Sequence, residues 1–227
     1  MLDSFIFVVL PYTALALLLF VTPYRYRTNR LTWTTYSTQF LERDTLFWGS
    51  MSWHHGIILI LLAHLAGIVS PGGMRHLLGN QRTLVVLESI GVGLGLLALF
   101  GTLVLLLRRV NSGMLKRVTF AADWVLLYLL LLQAASGVYV SMSMRWGSVW
   151  YLHTAVPYLR SLLALRPQVE YMADFPLVFK LHAAMAFLII ALLPFTKLVH
   201  LLFFPFRFLA DPPILYRWLA GRGPGRD

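Results

Sequence analysis

Polar and apolar positions sort into five long apolar stretches, at about residues 4–22, 46–69, 84–107, 122–144 and 178–204, separated by short segments rich in basic residues. A bilayer core about 30 Å thick needs ~20 apolar residues per helix, so each stretch is predicted as a spanning helix. The loops and tail are too short to enclose a second core, and the expectation is one domain over residues 1–227. A further run at about 149–165 places apolar and aromatic residues at helical intervals, with Arg160 its one charge. It reads as a helix lying in the membrane interface, with Trp146, Trp150, Tyr151 and Tyr158 at headgroup level.

Composition agrees: 59% of residues are hydrophobic, 12% are charged and the mean hydropathy is +0.72, far from an ordinary globular chain. The formal charge of +10 changes the picture by its distribution. Arg25, Arg27, Arg30, Arg43, Arg108, Arg109, Lys116, Arg117, Arg207, Arg217, Arg222 and Arg226 fall on one side of a five-span chain. The other side holds Arg75, Arg82, Arg145, Arg160 and Arg166. Twelve against five predicts an amino terminus outside and a carboxyl terminus in the cytoplasm. Asp3 precedes the first apolar run with no basic residue, so that run reads as a retained span rather than a secretory signal. Basic loops beside spans answer to anionic membrane lipid, and no nucleic-acid partner is expected. Cysteine is absent, which excludes thiolate-held iron–sulfur clusters, c-type haem attachment and disulfides within the chain.

Candidate chemistry lies in the histidines. His54 and His64 are about 80° apart around the second span and ~15 Å apart along it; His182 and His200 of the fifth differ by five full turns, about 27 Å. The two spans run in opposite directions, so equal depth pairs His54 with His200 near the inner surface and His64 with His182 near the outer. Haem is the natural occupant of two such bis-histidine sites, since its iron takes one imidazole on each face and its flat apolar ring fits between helices. Gly56, Gly67, Gly91, Gly93, Gly95 and Gly101 are expected to thin the neighbouring helices. The plainer reading is that the histidines are interhelical hydrogen bonders; a single zinc centre is disfavoured by their separation. His55 points about 180° from His64, and His76 and His153 read as solvated loop residues.

Ser52-Trp53-His54-His55-Gly56, His64-Leu65-Ala66-Gly67, Phe179-Lys180-Leu181-His182 and Leu193-Pro194-Phe195 with Lys197 and His200 resemble the gamma subunit, the membrane cytochrome b, of respiratory nitrate reductase. Ser37 to Arg43 and Leu105 to Arg109 are similar too. The resemblance covers essentially the whole chain. It implies an all-α integral membrane protein of five transmembrane helices around two b-type haems ligated by His54, His64, His182 and His200. Its implied activity is oxidation of quinol, menaquinol or ubiquinol, near the outer face of the cytoplasmic membrane. It also implies electron delivery to a cytoplasmic iron–sulfur beta subunit and a molybdenum-containing alpha subunit that reduces nitrate to nitrite.

The chain departs from that family near the start of the third span, where Leu84 occupies about the place of an expected lysine. Arg82, a donor only, and Glu88, ~9 Å deeper, are the candidates for orienting quinol and accepting its proton. Glu88 equally suits a purely structural pairing with Arg82 or a loop group. Arg108 and Arg109 suit either haem propionates or membrane anchoring, Lys180 and Lys197 suit snorkelling, and Gln133 and Ser136 suit ordinary interhelical bonds. Pro194 is expected to kink the fifth span. Residues 36–44 and 206–218 are candidates for docking the cytoplasmic partner. Two other classes stay open: a related quinone-linked anchor of a sulfite-reductase or heterodisulfide-reductase complex, and a haem-free transporter using histidine proton relays.

Overall fold

The computed structural model describes residues 2–28, 44–143 and 146–202. Five helices are long and apolar enough to cross a membrane: Phe5–Thr28, Thr45–Val69, Gln81–Asn111, Ala121–Ser143 and Leu177–Phe195. They are termed the first to fifth spans. Their outward faces are apolar, with Leu19, Phe20, Leu62, Val125 and Leu132 all exposed. Water penalises such a surface and hydrocarbon does not, so the chain is a multi-pass membrane protein.

Packing runs in sequence from the second span to the third, the third to the fourth, the fourth to the fifth and the fifth to the first. Among the described residues, no comparable packing joins the second span to the fifth. The second and third approach to backbone contact because glycine removes the side chain between them. A Cβ on Gly101 would stand 2.4 Å from the amide nitrogen of Trp53, and one on Gly56 would stand 2.7 Å from the carbonyl oxygen of Leu94. The other expected thin positions serve different neighbours or none. Gly95 faces Val138 of the fourth span, Gly67 faces Tyr151, and nothing lies within 4 Å of a Cβ at Gly91 or Gly93.

The connection near the amino terminus is more ordered than a loop. Pro71–Leu78 is helical, which puts Arg75 and His76 on a helix. The interfacial run is helical from Gly147 through Leu163, in segments Gly147–Trp150, Tyr151–Ala155 and Val156–Leu163. It is not confined to a surface: Leu152, Val156, Tyr158 and Leu162 are buried. Tyr158 donates its hydroxyl to the carbonyl of Phe7 at 2.8 Å and stands edge-on to that ring, and Tyr12 donates to the carbonyl of Leu162 at 3.1 Å. Phe7, Tyr158, Met172 and Phe187 thereby form the main core, at the amino-terminal end of the bundle. Lys180 pairs with Asp3 at 3.1 Å at the same end.

The fifth span departs from the expected continuous helix over 178–204. Its α-helix covers Leu177–Leu192, a 3₁₀ turn follows at Leu193–Phe195, and Thr196 is extended (φ −119°, ψ 175°). A second 3₁₀ turn at Lys197–Leu201 carries His200. Pro194 explains the break, because it supplies no amide hydrogen and its ring collides with the carbonyl four residues earlier. The guanidinium of Arg25, from the first span, donates to the carbonyl of Pro194. Expectations for residues 36–43 and 206–218 lie outside the described residues.

Candidate functional site

The imidazoles of His54 and His200 face each other with ring centroids 6.3 Å apart and planes inclined by 51°. A metal–imidazole bond of about 2 Å puts the ring centre about 3 Å from the metal, so two rings on opposite sides of one iron stand about 6 Å apart. The observed separation fits that arrangement without displacement of either span. His64 and His182 lie close enough to interact electrostatically. One pair joins the second span to the fifth and the other joins the second span to the turn that follows the fifth, and among the described residues those two spans are not closely packed on each other.

Each of the four rings has its Nδ1 engaged. His54 Nδ1 donates to the carbonyl of Ser50 at 2.7 Å, His64 Nδ1 to Ile60 at 2.8 Å and His200 Nδ1 to Lys197 at 2.6 Å. His182 Nδ1 meets the hydroxyl oxygen of Ser136 at 2.9 Å. Such bonds put the proton on Nδ1 and leave the Nε2 lone pair for a metal, the arrangement typical of ligating histidine. Gln133 Nε2 lies 3.3 Å from His182 Nε2, so ligation there requires the amide to turn aside. Among the described residues the buried Oε1 of that amide has no hydrogen-bond partner. The facing rings of His54 and His200 fit the two imidazole ligands of a haem iron, His64 and His182 offer a second imidazole pair once Gln133 turns aside, and no group of three or more His, Cys, Asp or Glu converges among the described residues.

His55 bonds the Met51 carbonyl at 2.8 Å on its own helix. Tyr151 packs on His64, its ring edge-on at 4.8 Å between centroids and its hydroxyl donating to the His64 carbonyl at 2.8 Å. A Cβ at Gly67 would fall 2.7 Å from the Tyr151 ring, which explains glycine at that position. Burial pushes the Tyr151 phenol well above its usual range, so it remains a donor.

Glu88 Oε1 accepts from both the amide, at 2.8 Å, and the hydroxyl, at 2.6 Å, of Ser148. Its partner is therefore the interfacial helix, not Arg82. Arg82 is exposed in the first turn of the third span, where its amide is capped by Asn80 Oδ1 at 2.9 Å. Leu84 packs with Leu78, Leu152 and Val156. A cavity of about 300 Å³ opens at this end, lined by Arg75, His153 and Arg160 over Leu152 and Val156, so His153 is not a plain loop residue.

At the opposite end Lys197 pairs with Asp123 at 2.7 Å rather than snorkelling, and Arg108 is buried. Gln133 and Ser136 make the interhelical bonds expected of them, both to His182, whereas the contacts of Gly137 and Asp123 were hidden in the sequence because each meets another segment. Polar residues or glycine in the fourth span, at heights matching the fifth-span histidines, are the signal that marks them.

Five apolar helices, with the imidazole of His54 in the second span facing that of His200 in the turn after the fifth, define a multi-pass membrane protein with a paired-histidine site. The chain matches the family described as nitrate reductase gamma subunit over residues 3–219 and belongs to it. It is 30% identical over 212 residues to the nitrate reductase gamma chain of Bacillus subtilis, covering 92% of this chain and 95% of that one. It is 28% identical over 211 residues to the respiratory nitrate reductase 1 gamma chain of Escherichia coli, covering 92% and 94%. The nitrate reductase-like protein NarX of Mycobacterium tuberculosis is 29% identical over 96% of this chain, which spans 34% of that longer protein.

Proposed function

We propose that this chain is the dihaem cytochrome b anchor of a quinol:nitrate oxidoreductase in the cytoplasmic membrane. In this reading the amino-terminal end of the bundle is outer, His64 and His182 hold the outer haem b, and His54 and His200 hold the inner one. Family membership supports the nitrate reductase assignment over sulfur-compound anchors. The 6.3 Å imidazole spacing, with Nδ1 of both rings tied to backbone carbonyls, is the observation that carries the haem assignment.

When bound, the two haems supply one-electron transfer between quinol and the partner subunits. Quinol is oxidised at the outer end and its two protons leave on that side, so turnover separates charge across the membrane. Glu88 is the proton-accepting group of that end and Arg82 a fixed donor for a quinol oxygen. The Ser148 bonds to Glu88 tie this carboxylate to the interfacial helix, which also contacts His64 through Tyr151. In this reading a cytoplasmic iron–sulfur beta subunit and a molybdenum-containing alpha subunit perform the nitrate chemistry.

The test is a dithionite-reduced minus oxidised spectrum with a pyridine haemochrome assay on the purified chain. Two haems b per chain are expected. A value of one, or absence of a b-type signal, overturns the reading. Copurification of iron–sulfur and molybdenum subunits is the expected companion result.

A further inference from the structure

We propose that the fourth span, which carries no histidine, positions both candidate ligands of the fifth span: Ser136 with Gln133 sets His182, and Asp123 sets His200 through Lys197. The inference rests on the two-haem reading above and assigns new residues to it.

His182 differs from the other three histidines in the source of its orienting bond. His54, His64 and His200 use carbonyls three or four residues back on their own segment. His182 uses a side chain of a neighbouring helix. Ser136 donates its hydroxyl to the carbonyl of Gln133 at 3.0 Å, which commits that proton. The oxygen therefore receives Nδ1–H of His182, at 2.9 Å, through a lone pair. Gly137 completes the seat: a Cβ there would stand 3.0 Å from His182 Cε1, so the ring lies against the backbone of the fourth span. A hydrogen bond that fixes the tautomer and angle of a ligating imidazole also raises its basicity.

His200 has a different weakness. Its turn, Lys197–Leu201, is cut off from the α-helix by Pro194 and the extended Thr196, so helix continuity cannot aim the ring. The turn is held instead by the Lys197 Nζ contact to Asp123 Oδ2 at 2.7 Å. Asp123 is buried, with its side chain 8% exposed, and the same oxygen accepts the amide of Phe120 at 3.2 Å at the start of the fourth span. A carboxylate fixed by its own helix and out of water makes a rigid post for the lysine. The carbonyl of that lysine takes Nδ1–H of His200 at 2.6 Å. Asp123, Lys197 and His200 thus form one continuous chain of contacts from the fourth span to the inner site.

A simply structural fourth span would lower the stability of the whole bundle and disturb both haems alike. A positioning role separates them. The experiment is redox potentiometry with low-spin ferric electron paramagnetic resonance on the intact complex bearing Ser136→Ala or Asp123→Asn. Ser136→Ala is expected to raise the midpoint potential of the outer haem alone and to weaken its retention about 10-fold or more, since loss of such a partner costs that much in affinity. Asp123→Asn is expected to shift the resonance and potential of the inner haem alone. Because removing one partner of a buried pair can prevent folding, the double variant Asp123→Asn with Lys197→Gln, which leaves no unpaired charge, provides the second arm. It is expected to assemble and to show the same inner-haem shift, and Ser136→Thr is expected to restore the outer potential. Unchanged potentials, or equal shifts at both haems, overturn the proposal while leaving the two-haem reading intact. Fewer than two haems in the unsubstituted complex overturns that reading and this one with it.

Discussion

Tyr151 bridges to His64 in two ways at once, donating its hydroxyl to the histidine's carbonyl at 2.8 Å and setting its ring edge-on to the imidazole at 4.8 Å. The first contact engages a backbone group of the second span and the second engages the ring itself. Tyr151→Phe removes only the first. The expected loss is about 0.5–1.5 kcal/mol, the net worth of one hydrogen bond. Thermal unfolding in detergent should register it with the outer haem retained. Tyr151→Ala also uncovers the imidazole and should alter the outer haem's spectrum.

The histidine pairing makes a sharper claim. His64→Ala and His200→Ala should each reduce haem content from two per chain to one, and the haem lost should differ, the outer in the first case and the inner in the second. Potentiometric titration of each variant checks this. Loss of the same haem in both would contradict the pairing.

Glu88→Gln keeps the size of the side chain and an acceptor for Ser148 but removes the charge. If Glu88 accepts the proton of quinol, quinol oxidation should fall 10²-fold or more, of the order contributed by a positioned base, with both haems retained. Full activity in Glu88→Gln would assign the residue to holding the interfacial helix alone.

Gly101→Ala tests the seam between the second and third spans. The added Cβ would meet Trp53 backbone at 2.4 Å and the Gly49 carbonyl at 2.8 Å, contacts that no side-chain rotation relieves. Overpacking of this kind costs about 1–3 kcal/mol, and the detergent melting temperature should drop. Gly93→Ala, where nothing lies within 4 Å, is the control and should melt with the unsubstituted protein.

Burial raises the phenols of Tyr151 and Tyr158 above the ordinary value, which lies near pH 10; the neighbouring Tyr12 adds to the shift of Tyr158. The folded state therefore favours the neutral form. Their contribution to stability is complete below about pH 10 and is lost as pH rises through the folded values. Melting temperature measured against pH should decline above that point, and less steeply in Tyr158→Phe. An equal decline in the variant would place the alkaline transition elsewhere.

The five spans were legible because hydrophobic length is a one-dimensional signal, and His54 and His200 were pairable because antiparallel spans fix relative depth. The rings of His54 and His200 face each other, but by an unforeseen route. Five regular turns were expected between His182 and His200, yet Pro194 ends the helix, and the His200 ring is presented by a short turn anchored sideways on Asp123 through Lys197. Glu88 shows the opposite limit. Its depth was readable, but its partner Ser148 lies 60 residues away, and periodicity within one helix does not choose among partners on others. Gly137 went unnoticed for the same reason, since only a packed neighbour reveals what a missing Cβ makes room for.

The absence of close packing between the second and fifth spans carries a thermodynamic consequence. The described packing runs from the second span through the third, fourth and fifth to the first, so on the two-haem reading a cofactor held between the second span and the end of the fifth supplies, at that joint, the cohesion that neighbouring helices elsewhere supply to each other. Ligand binding and bundle stability are then a single equilibrium, and the joint should tighten with cofactor supply by mass action. On the two-haem reading, cells short of haem would lose this subunit to proteolysis.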